Sequence, residues 1–474
     1  MNSVRPALGS PFLPAAVFFA AVFFTARPAE GGLRPVQAPP ILKDSYVGRE
    51  ADAPWRREAA ERIERHRKGD LVVRVTDAAG TPLVGVEVSV RMRRHAFPFG
   101  TQVDKNLLTD PSSTGEEYRR RFLELFNYAT VNSFYFTQWQ TPARAEKTRN
   151  EALKAVQWLH QRGISMRGHV LVWNLGEEWI ARSPEEVRAR VLQHIDECVG
   201  DPRFSGAIGE WDVQNEPFQN SDVYRKLGLE AVPEWFHRAR RHTPGGHLFL
   251  NEARLCSQMH DRSWAERVAF TEKILRFLRE RGAPIHGLGF QSHHVGSLAP
   301  IPEVLRTLDR FAALGLDLQA TEFDIRLLPS TADPKADFQR RWRTPGPPVP
   351  PEMERLEADY LRDYLTAFFS HPAVTAFIMW GFWDGRHWLH NAPILRKDGS
   401  FKPAGEAYRD LVFRRWWTEV EGRTGEDGRF AVRGFLGAYE ITARKGMITK
   451  TVPVLLGGPG AAISIALESV ERGR

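Results

Sequence analysis

The sequence has 474 residues and a formal net charge of +7, with 42% hydrophobic and 26% charged residues. This length excludes a single small domain and leaves room for a barrel of about 250 residues plus a smaller domain, while the composition is that of a soluble globular protein. Basic residues are interleaved with acidic ones along the chain. We therefore interpret basic runs such as residues 65–68 as a solvated face, and we expect no nucleic-acid partner.

The N-terminus resembles an export signal. Arg5 precedes an apolar run over residues 12–24, and Ala26 and Ala29 supply small residues before a polar stretch. The run is shorter than the ~20 apolar residues of a comfortable membrane span. We predict a signal peptide over residues 1–29 and a secreted or periplasmic protein, with an uncleaved N-terminal anchor as the alternative.

The segment after the signal peptide changes from a linker to regular structure. Residues 30–52 are rich in proline, glycine and alanine and are interpreted as a linker. Residues 53–67 have a helical pattern, while residues 70–75 and 84–90 alternate as strands around a turn. We assign residues 53–95 to the N-terminal part of a small β-domain.

From residue 97 the pattern becomes strand, loop and helix, repeated. Eight such repeats predict a (β/α)8 barrel of the α/β class over residues 96–416, and an open doubly wound sheet is the alternative. The candidate strands are residues 97–103, 128–135, 165–172, 208–215, 247–252, 287–292, 317–323 and 374–381. Helices are expected between them, for example over residues 144–161, 184–198, 264–281 and 353–369.

The strand pattern returns after Trp416, so residues 417–474 are predicted to be antiparallel β-structure. Both flanking β-segments resemble halves of a carboxypeptidase-regulatory-like β-sandwich, and neither has enough strands to close a sandwich alone. We therefore predict one β-sandwich domain built from the N- and C-terminal segments, with the barrel inserted between them.

The sequence contains two cysteines, Cys198 and Cys256. The predicted strands place one before a barrel strand and the other after the next strand, at opposite ends of the barrel. A strand of 5–6 residues spans ~17–20 Å, while a disulfide needs Cα atoms within ~7 Å. We predict two separate thiols.

Two glutamates close predicted barrel strands. Glu216 follows the fourth strand in the segment Trp-Asp-Val-Gln-Asn-Glu-Pro-Phe, and Glu322 ends the seventh in Leu-Gln-Ala-Thr-Glu-Phe-Asp. The carboxyl ends of barrel strands form the active site of such folds. Two carboxyl groups there predict glycoside hydrolysis, with retention of configuration if they lie ~5–5.5 Å apart.

Both segments resemble motifs of glycoside hydrolase family 10, the endo-β-1,4-xylanases, and especially its plant-type members. Asn-Glu-Pro is similar to the family's acid/base motif, and Thr-Glu-Phe-Asp is similar to its Thr-Glu-Leu-Asp nucleophile motif. The resemblance covers residues 97–416. It implies that Glu216 is the acid/base and that Glu322 is the nucleophile of a double displacement.

Further positions match the family one by one. The resemblance implies that His169 and Gln291 contact the sugar, that Trp173 shapes the site around the cleaved sugar, and that His293 hydrogen-bonds the nucleophile. Asn251-Glu252 is similar to the family's Asn-Asp after the fifth strand. The predicted substrate-binding residues are His169, Trp173, Asn215, Gln291, His293, Trp380 and Trp388, with Asp324 in support.

The second predicted strand departs from the family. Members usually carry Glu-Asn-Glu-(Leu/Met)-Lys-Trp there, and the resemblance implies that its glutamate, asparagine and lysine bind the xylose units on the glycone side. Asn132, Ser133 and Phe136 occupy those three positions here. A site that loses hydrogen-bond partners for hydroxyl groups loses discrimination, so the glycone preference is left open.

We therefore predict a retaining endo-β-1,4-xylanase-like glycoside hydrolase that acts on xylan as a monomer. Two alternatives remain: a retaining glycosidase acting on another or decorated β-linked glycan, and a carbohydrate-binding protein with impaired catalysis. We expect no cofactor and no metal, because histidines such as His387 and His390 lie beside Trp388 without further ligands at obvious spacing.

Overall fold

The computed structural model describes residues 45–327 and 349–468. The predicted signal peptide over residues 1–29 lies outside the described residues. The same holds for the predicted linker up to residue 44, so both stay predictions.

Within the described residues, two strands precede the barrel, nine lie in the barrel region and five lie in the C-terminal segment. The strands are β1 (Lys68–Asp77), β2 (Glu87–His95), β3 (Phe99–Val103), β4 (Tyr128–Asn132), β5 (Ser165–His169), β6 (Glu210–Asn215), β7 (His247–Glu252), β8 (Gly287–Phe290), β9 (His293–Val295), β10 (Asp317–Arg326), β11 (Val374–Met379), β12 (Glu419–Arg423), β13 (Arg429–Phe435), β14 (Gly437–Lys445), β15 (Ile448–Leu456) and β16 (Ala461–Leu467).

Helices alternate with the barrel strands. The longer helices are Pro54–His66, Ser113–Leu125, Pro142–His160, Pro184–Val199, Ala231–His242, Trp264–Glu280, Ile301–Ala312, Pro351–Ser370 and Pro403–Asp410. Shorter helical segments are Lys105–Thr109, Phe136–Gln138, Glu177–Ile180, Pro202–Ser205, Asp222–Leu227 and Leu411–Arg415. Proline at the first turn begins several of them, where its missing N–H costs nothing.

The barrel is closed by eight parallel strands in the order β3-β4-β5-β6-β7-β8-β10-β11. The last strand pairs with the first: Phe377 of β11 lies opposite Phe99 of β3, and Leu318 of β10 lies opposite Val374 of β11. An open doubly wound sheet has two free edges, so closure excludes that alternative. The predicted (β/α)8 barrel is confirmed. The short strand β9 adds to the end of β10 and continues the sheet toward the mouth of the barrel.

The N-terminal and C-terminal segments that flank the barrel together form two further sheets, in agreement with the predicted fold. One sheet has the order β13-β1-β16 and the other the order β12-β2-β14-β15. Each N-terminal strand is therefore central and is flanked on both sides by C-terminal strands. Alternate residues of β1 and β2 are buried, as expected for sheets that each cover a core.

The pairing of strands in the β-domain differs in part from the sequence expectation. The strand β16 pairs with β1 in parallel, although the C-terminal segment was predicted to be antiparallel. The strands β1 and β2 lie in different sheets and do not pair with each other as a hairpin. The strand β12 has a weak sequence signal, because its sequence Glu-Val-Glu-Gly-Arg is polar and has only a weak alternation. The exact domain boundaries stay predictions.

Aromatic packing joins the β-domain to the barrel. The Phe369 ring of the barrel stacks on Trp416 with a centroid distance of 4.2 Å and also lies 6.4 Å from the Phe435 ring of β13. Beside them, the Arg67 guanidinium donates hydrogen bonds to the carbonyl oxygens of Phe369 and His371. The β-domain therefore packs against one end of the barrel through a buried apolar contact. The opposite end carries the candidate site.

Both cysteines are free and buried, in agreement with the prediction of two separate thiols. Burial raises the pKa of both thiols well above the ordinary value, which keeps them protonated and poorly nucleophilic. Within residues 45–327 and 349–468, no helix has the length and apolar character needed to cross a membrane.

Candidate active site

Glu216 and Glu322 lie at the carboxyl-terminal end of the barrel. Glu216 directly follows β6, while Glu322 lies in the middle of the long strand β10, just beyond the residues of β10 that pair with β8. Glu216 has a φ of 52°, in the left-handed region that non-glycine residues rarely adopt. Its backbone N–H donates to the Asn251 carbonyl at 2.7 Å, which holds this conformation. Backbone strain of this kind clusters at functional sites.

Glu322 is almost fully buried, with 4% of its surface exposed. One carboxylate oxygen accepts a hydrogen bond from the Asn251 amide at 2.6 Å, and the other lies 3.1 Å from His293 Nε2. Asn251 lies near the end of β7, and His293 is the first residue of β9. The carboxylate is therefore fixed in one orientation and has a donor on each oxygen.

The other nitrogen of His293 faces a second carboxylate. His293 Nδ1 lies 3.0 Å from Asp324 Oδ1, and the Trp388 indole donates to the remaining Asp324 oxygen at 2.8 Å. Burial alone would lower the pKa of His293, but the carboxylates of Asp324 and Glu322 outweigh it and raise that pKa to about 10. At neutral pH, His293 is thus a cation between two anions.

This cation predicts a pH-dependent stability. The pKa of His293 in the folded protein, about 10, exceeds its ordinary value of 6.5. The stabilisation by the imidazolium is therefore complete below about pH 6.5 and is lost as the pH rises toward 10. We expect the difference in unfolding free energy between wild type and His293→Gln to shrink over that range, as measured by urea denaturation at several pH values.

His160 supplies the control for this measurement, because it is an exposed histidine at the end of the helix Pro142–His160. The variant His160→Gln should differ from wild type by an amount that stays constant between about pH 6.5 and 10. A constant difference for His293→Gln over the same range would contradict the proposed ion cluster.

Glu216 is half-buried and receives hydrogen bonds from both sides of the cleft. The Trp173 indole donates to its Oε2 at 3.1 Å, and Gln219 and Asn220 donate to the same oxygen at 2.6 and 2.5 Å. The Gln291 amide donates to Oε1 at 2.8 Å. Gln219 and Asn220 lie in the loop directly after Glu216 and were not predicted.

Buried amides connect the two glutamates. Asn251 and Gln291 both donate to Asn215 Oδ1, at 2.9 and 3.1 Å. Asn251 also reaches Glu322, and Gln291 also reaches Glu216. The network therefore spans from one carboxylate to the other through three neutral side chains. It fixes the relative position of the carboxylates without adding a charge between them.

His169 is positioned by a separate group of buried charges. Its Nδ1 lies 2.8 Å from Asp212 Oδ2, and Asp212 also forms a two-pronged ion pair with the buried Arg167. The Arg167 guanidinium, together with the His169 hydrogen bond, holds the pKa of Asp212 below its ordinary value despite its burial. An ionised Asp212 fixes the imidazole so that its Nε2 edge faces the cleft.

All the predicted site residues except Asp324 line a single cavity of about 280 Å³. The Trp380 ring closes one side, with its centroid 5.0 Å from that of His169. Trp388 lies at the rim and is 42% exposed, which leaves an aromatic face available to a ligand. The predicted residues that share the cavity are His169, Trp173, Asn215, Glu216, Gln291, His293, Glu322, Trp380 and Trp388. Asp324 lies behind His293.

The altered segment after β4 does not contribute as the alignment suggested. Phe136 is 2% exposed and packs against Trp179 and His194, away from the cavity. Instead Tyr135 lines the cavity. Tyr135 was not predicted as a site residue. The predicted strand continued to residue 135, whereas β4 ends at Asn132, so the expected side-chain directions in this segment were wrong.

A further buried carboxylate anchors the loop that follows Glu216. Glu252 accepts hydrogen bonds from the Phe218 N–H at 3.0 Å and from Arg267 at 3.1 Å. Burial raises the pKa of Glu252 to about 7, against the opposing effect of the Arg267 guanidinium. Glu252 thus ties β7 to the loop after β6, but it does not line the cavity.

In the part of the chain that the structure describes, no group of three or more histidine, cysteine, aspartate or glutamate side chains is arranged so that it could hold a metal ion. The polar groups that line the cavity include two carboxylates, their amide and imidazole partners, and indole N–H groups. This chemistry is suited to proton transfer and to nucleophilic attack at a sugar carbon.

A closed (β/α)8 barrel whose strand ends carry two hydrogen-bonded carboxylates has the architecture that barrel glycosidases use. The chain belongs to glycosyl hydrolase family 10, whose sequence profile matches residues 90–411. The predicted family is thereby confirmed.

Several curated proteins are similar to this chain. Endo-1,4-beta-xylanase 1 of Arabidopsis thaliana is 25% identical over 411 residues, which cover 85% of this chain and 40% of that protein. Anti-sigma-I factor RsgI6 of Acetivibrio thermocellus is 28% identical over 396 residues, covering 82% and 46%. The Beta-1,4-xylanase of Dictyoglomus thermophilum is 31% identical over 257 residues, covering 51% and 67%. The chain thus spans less than half the length of the first two relatives.

Solved structures share the fold. Xylanase 10B from Thermotoga petrophila RKU-1, in complex with xylobiose, has a TM-score of 0.53 at 23% identity and covers 67% of this chain and 94% of its own. A GH10 endoxylanase from a sugarcane soil metagenome has a TM-score of 0.55 at 24% identity, covering 66% and 97%. At these identities the likeness establishes the barrel fold alone.

Proposed function

We propose that this protein is a retaining endo-β-1,4-xylanase that cleaves xylan by double displacement. The observation that carries the proposal is the pair Glu216 and Glu322, which line one cavity from β10 and from the loop after β6, in different hydrogen-bond environments. Two carboxylates with different partners suit two different roles.

Glu322 has the surroundings of a nucleophile. The His293 imidazolium and the Asn251 amide each lie within hydrogen-bond distance of one of its oxygens, which holds the carboxylate in place beside the cavity. One carboxylate oxygen attacks the anomeric carbon, the bond to the leaving oxygen breaks, and a covalent glycosyl-enzyme forms. The rigid amide network restricts the carboxylate to the attacking orientation, which lowers the entropic cost of the step.

Glu216 has the surroundings of an acid and base. It is half-buried at the cavity wall, on a loop, and the Trp173 indole orients it. In the first step its proton passes to the leaving oxygen. In the second step its carboxylate takes a proton from a water molecule, and the resulting hydroxide displaces Glu322 from the sugar carbon.

Xylan is the proposed substrate on three grounds. The chain belongs to glycosyl hydrolase family 10, several of its curated relatives are named as xylanases, and the cavity presents the indole faces of Trp380 and Trp388. Flat apolar rings of this kind can cover the faces of sugar rings.

We also propose that the protein is exported, because residues 1–29 have the pattern of a signal peptide. The monomeric state stays a prediction.

The proposal is tested by measuring release of reducing ends from xylan and from other β-linked glycans. The anomer formed first is followed by NMR. Rapid appearance of the β-anomer from xylan is the expected result, and Glu322→Gln is the inactive control. A first product in the α-configuration would contradict the retaining mechanism. Binding of xylo-oligosaccharides without any hydrolysis would favour a carbohydrate-binding protein instead.

A further inference from the structure

The loop that follows β7 brings a guanidinium to the cavity. Within the described residues, Arg254 is the one lysine or arginine side chain in the cavity lining, which also contains Glu216 and Glu322. Its side chain is 35% exposed, so a solute can reach it. Because the cavity has a volume of only about 280 Å³, a group bound by Arg254 lies close to the bond on which the two glutamates act.

The backbone of Arg254 adopts a conformation that is unusual for an arginine. Its φ of 58° lies in the left-handed region, and Glu216 on the neighbouring strand end shares this feature with a φ of 52°. Glycine or asparagine would adopt this conformation at a lower energetic cost. A long side chain held in this way beside a cavity indicates that the side chain itself has a role there.

Asp261 orients the guanidinium but occupies only part of it. Arg254 Nη1 lies 2.9 Å from Asp261 Oδ2, and Asp261 Oδ1 accepts hydrogen bonds from the N–H and the hydroxyl of Ser263 at 3.0 and 2.9 Å. Among the described residues, Asp261 is the sole partner of the Arg254 side chain. The edge formed by Nε and Nη2 is therefore available to bind a carboxylate through two parallel hydrogen bonds.

A second residue of the same loop has an unused polar group. Ser257 also lines the cavity and is 1% exposed, and its hydroxyl has no hydrogen-bond partner among the described residues. A buried hydroxyl without a partner destabilises a protein. A substrate group that hydrogen-bonds to Ser257 would remove this cost, so the loop offers a polar ligand more than one contact.

The charges of the cavity favour an acidic ligand at this position. The carboxylate of Glu322 repels an anionic substrate group, and burial strengthens the repulsion because it lowers the local dielectric constant. A carboxylate on the substrate therefore binds well only if a cation offsets its charge, and Arg254 supplies such a cation. Neutral sugar hydroxyls have no such requirement, because amides such as that of Gln291 can bind them.

We propose that Arg254 is a specificity-determining residue that binds the carboxylate of an acidic sugar branch close to the cleaved bond. The Nε and Nη2 groups donate to the carboxylate, while Asp261 keeps the guanidinium in place. The preferred substrate is then a xylan that carries uronic acid branches. This inference rests on the proposed function.

The test uses a xylo-oligosaccharide with one uronic acid branch and the same compound after reduction of the carboxyl group to an alcohol. The two differ in charge but share backbone and branch. We expect kcat/KM of the full-length protein to be about 10-fold higher for the acid, since charge-assisted hydrogen bonds are stronger than neutral ones. Salt at about 0.1 M shortens the Debye length to about 10 Å, so that the net charge of +7 contributes little.

Variants show whether Arg254 causes this preference, which is the ratio of the two kcat/KM values. Arg254→Gln should reduce the ratio to about 1. Arg254→Lys keeps the charge but loses the two-pronged geometry, so it should retain a preference of only a few-fold. Arg262→Gln is the matched control, because Arg262 is an exposed arginine of the same loop and does not belong to the cavity lining. It should keep the wild-type ratio.

A purely structural role of the ion pair between Arg254 and Asp261 predicts a different result. Both kcat/KM values would then fall together in Arg254→Gln, and their ratio would stay at the wild-type value. That outcome overturns the inference, and so do equal kcat/KM values of wild type on the two oligosaccharides. In either case the proposed function stands if wild type hydrolyses unbranched xylan. If wild type hydrolyses neither unbranched xylan nor the oligosaccharides, the proposed function is wrong and the inference falls with it.

Discussion

Glu322→Ala should lose at least about 10⁴-fold in kcat on every glycoside substrate, in line with the effect of deleting a catalytic nucleophile in other enzymes. The reason is that, among the described residues, the cavity lining has no carboxylates besides Glu322 and the acid/base Glu216, while the nearby Asp324 is hydrogen-bonded to His293 and to the Trp388 indole. The measurement is release of nitrophenol from an aryl β-xyloside under saturating conditions.

Addition of azide tests the nucleophile role of Glu322 directly. In Glu322→Ala, the small anion can enter the space left by the side chain and attack the anomeric carbon directly, which yields an α-glycosyl azide. Glu322→Gln keeps the side-chain volume, so it should be inactive with or without azide. Glu426→Ala is the control, because Glu426 is exposed in the distant β-domain. Undiminished activity of Glu322→Ala would refute the assignment.

Glu216→Ala should respond differently to the leaving group. Loss of general acid catalysis is expected to cost about 10²–10⁴-fold on xylan, whose leaving oxygen needs a proton. An aryl glycoside with an acidic phenol needs little protonation, so formation of the glycosyl-enzyme should be almost unaffected. Hydrolysis of the glycosyl-enzyme should then become slow, so nitrophenol should appear in a burst that is followed by a low steady rate.

Azide also distinguishes this role from that of Glu322. Here the anion attacks the glycosyl-enzyme in place of water, so the product is a β-glycosyl azide and the steady rate rises. Gln219→Ala removes one of the donors to Glu216 but leaves the carboxylate, and it is expected to show neither the burst nor the azide effect. An α-glycosyl azide from Glu216→Ala would reverse the two assignments.

The sequence allowed the barrel to be predicted because its strands are short apolar runs between amphipathic helices. The predicted strand over residues 247–252 agrees with β7, and predicted helix starts such as Trp264 agree with the structure. The two glutamates were recognisable because each ends an apolar strand, where a carboxylate without a role would be costly to bury. Both patterns involve residues that are close together in the sequence, so they can be recognised without the structure.

The orientation of Tyr135 could not be read from the sequence in the same way. Side chains alternate between the two faces of a strand only while the strand continues. The strand β4 ends at Asn132, and a short 3₁₀ turn begins at Phe136. Between them the alternation is lost, so the alignment placed Phe136 in the cleft although the structure places Tyr135 there. Hydrogen-bond partners such as Gln219 depend on loop conformation and were missed for a related reason.

The central positions of β1 and β2 in their sheets have a consequence for biogenesis. Every strand that pairs with them belongs to the C-terminal segment, from β12 onward. During synthesis at about 5–20 residues per second, both strands must therefore wait on the order of tens of seconds for their neighbours. The barrel residues are made in that interval and can fold first. The β-domain is then the last part to assemble, and a chain that stopped after the barrel would leave two strands with unpaired edges, which invite aggregation.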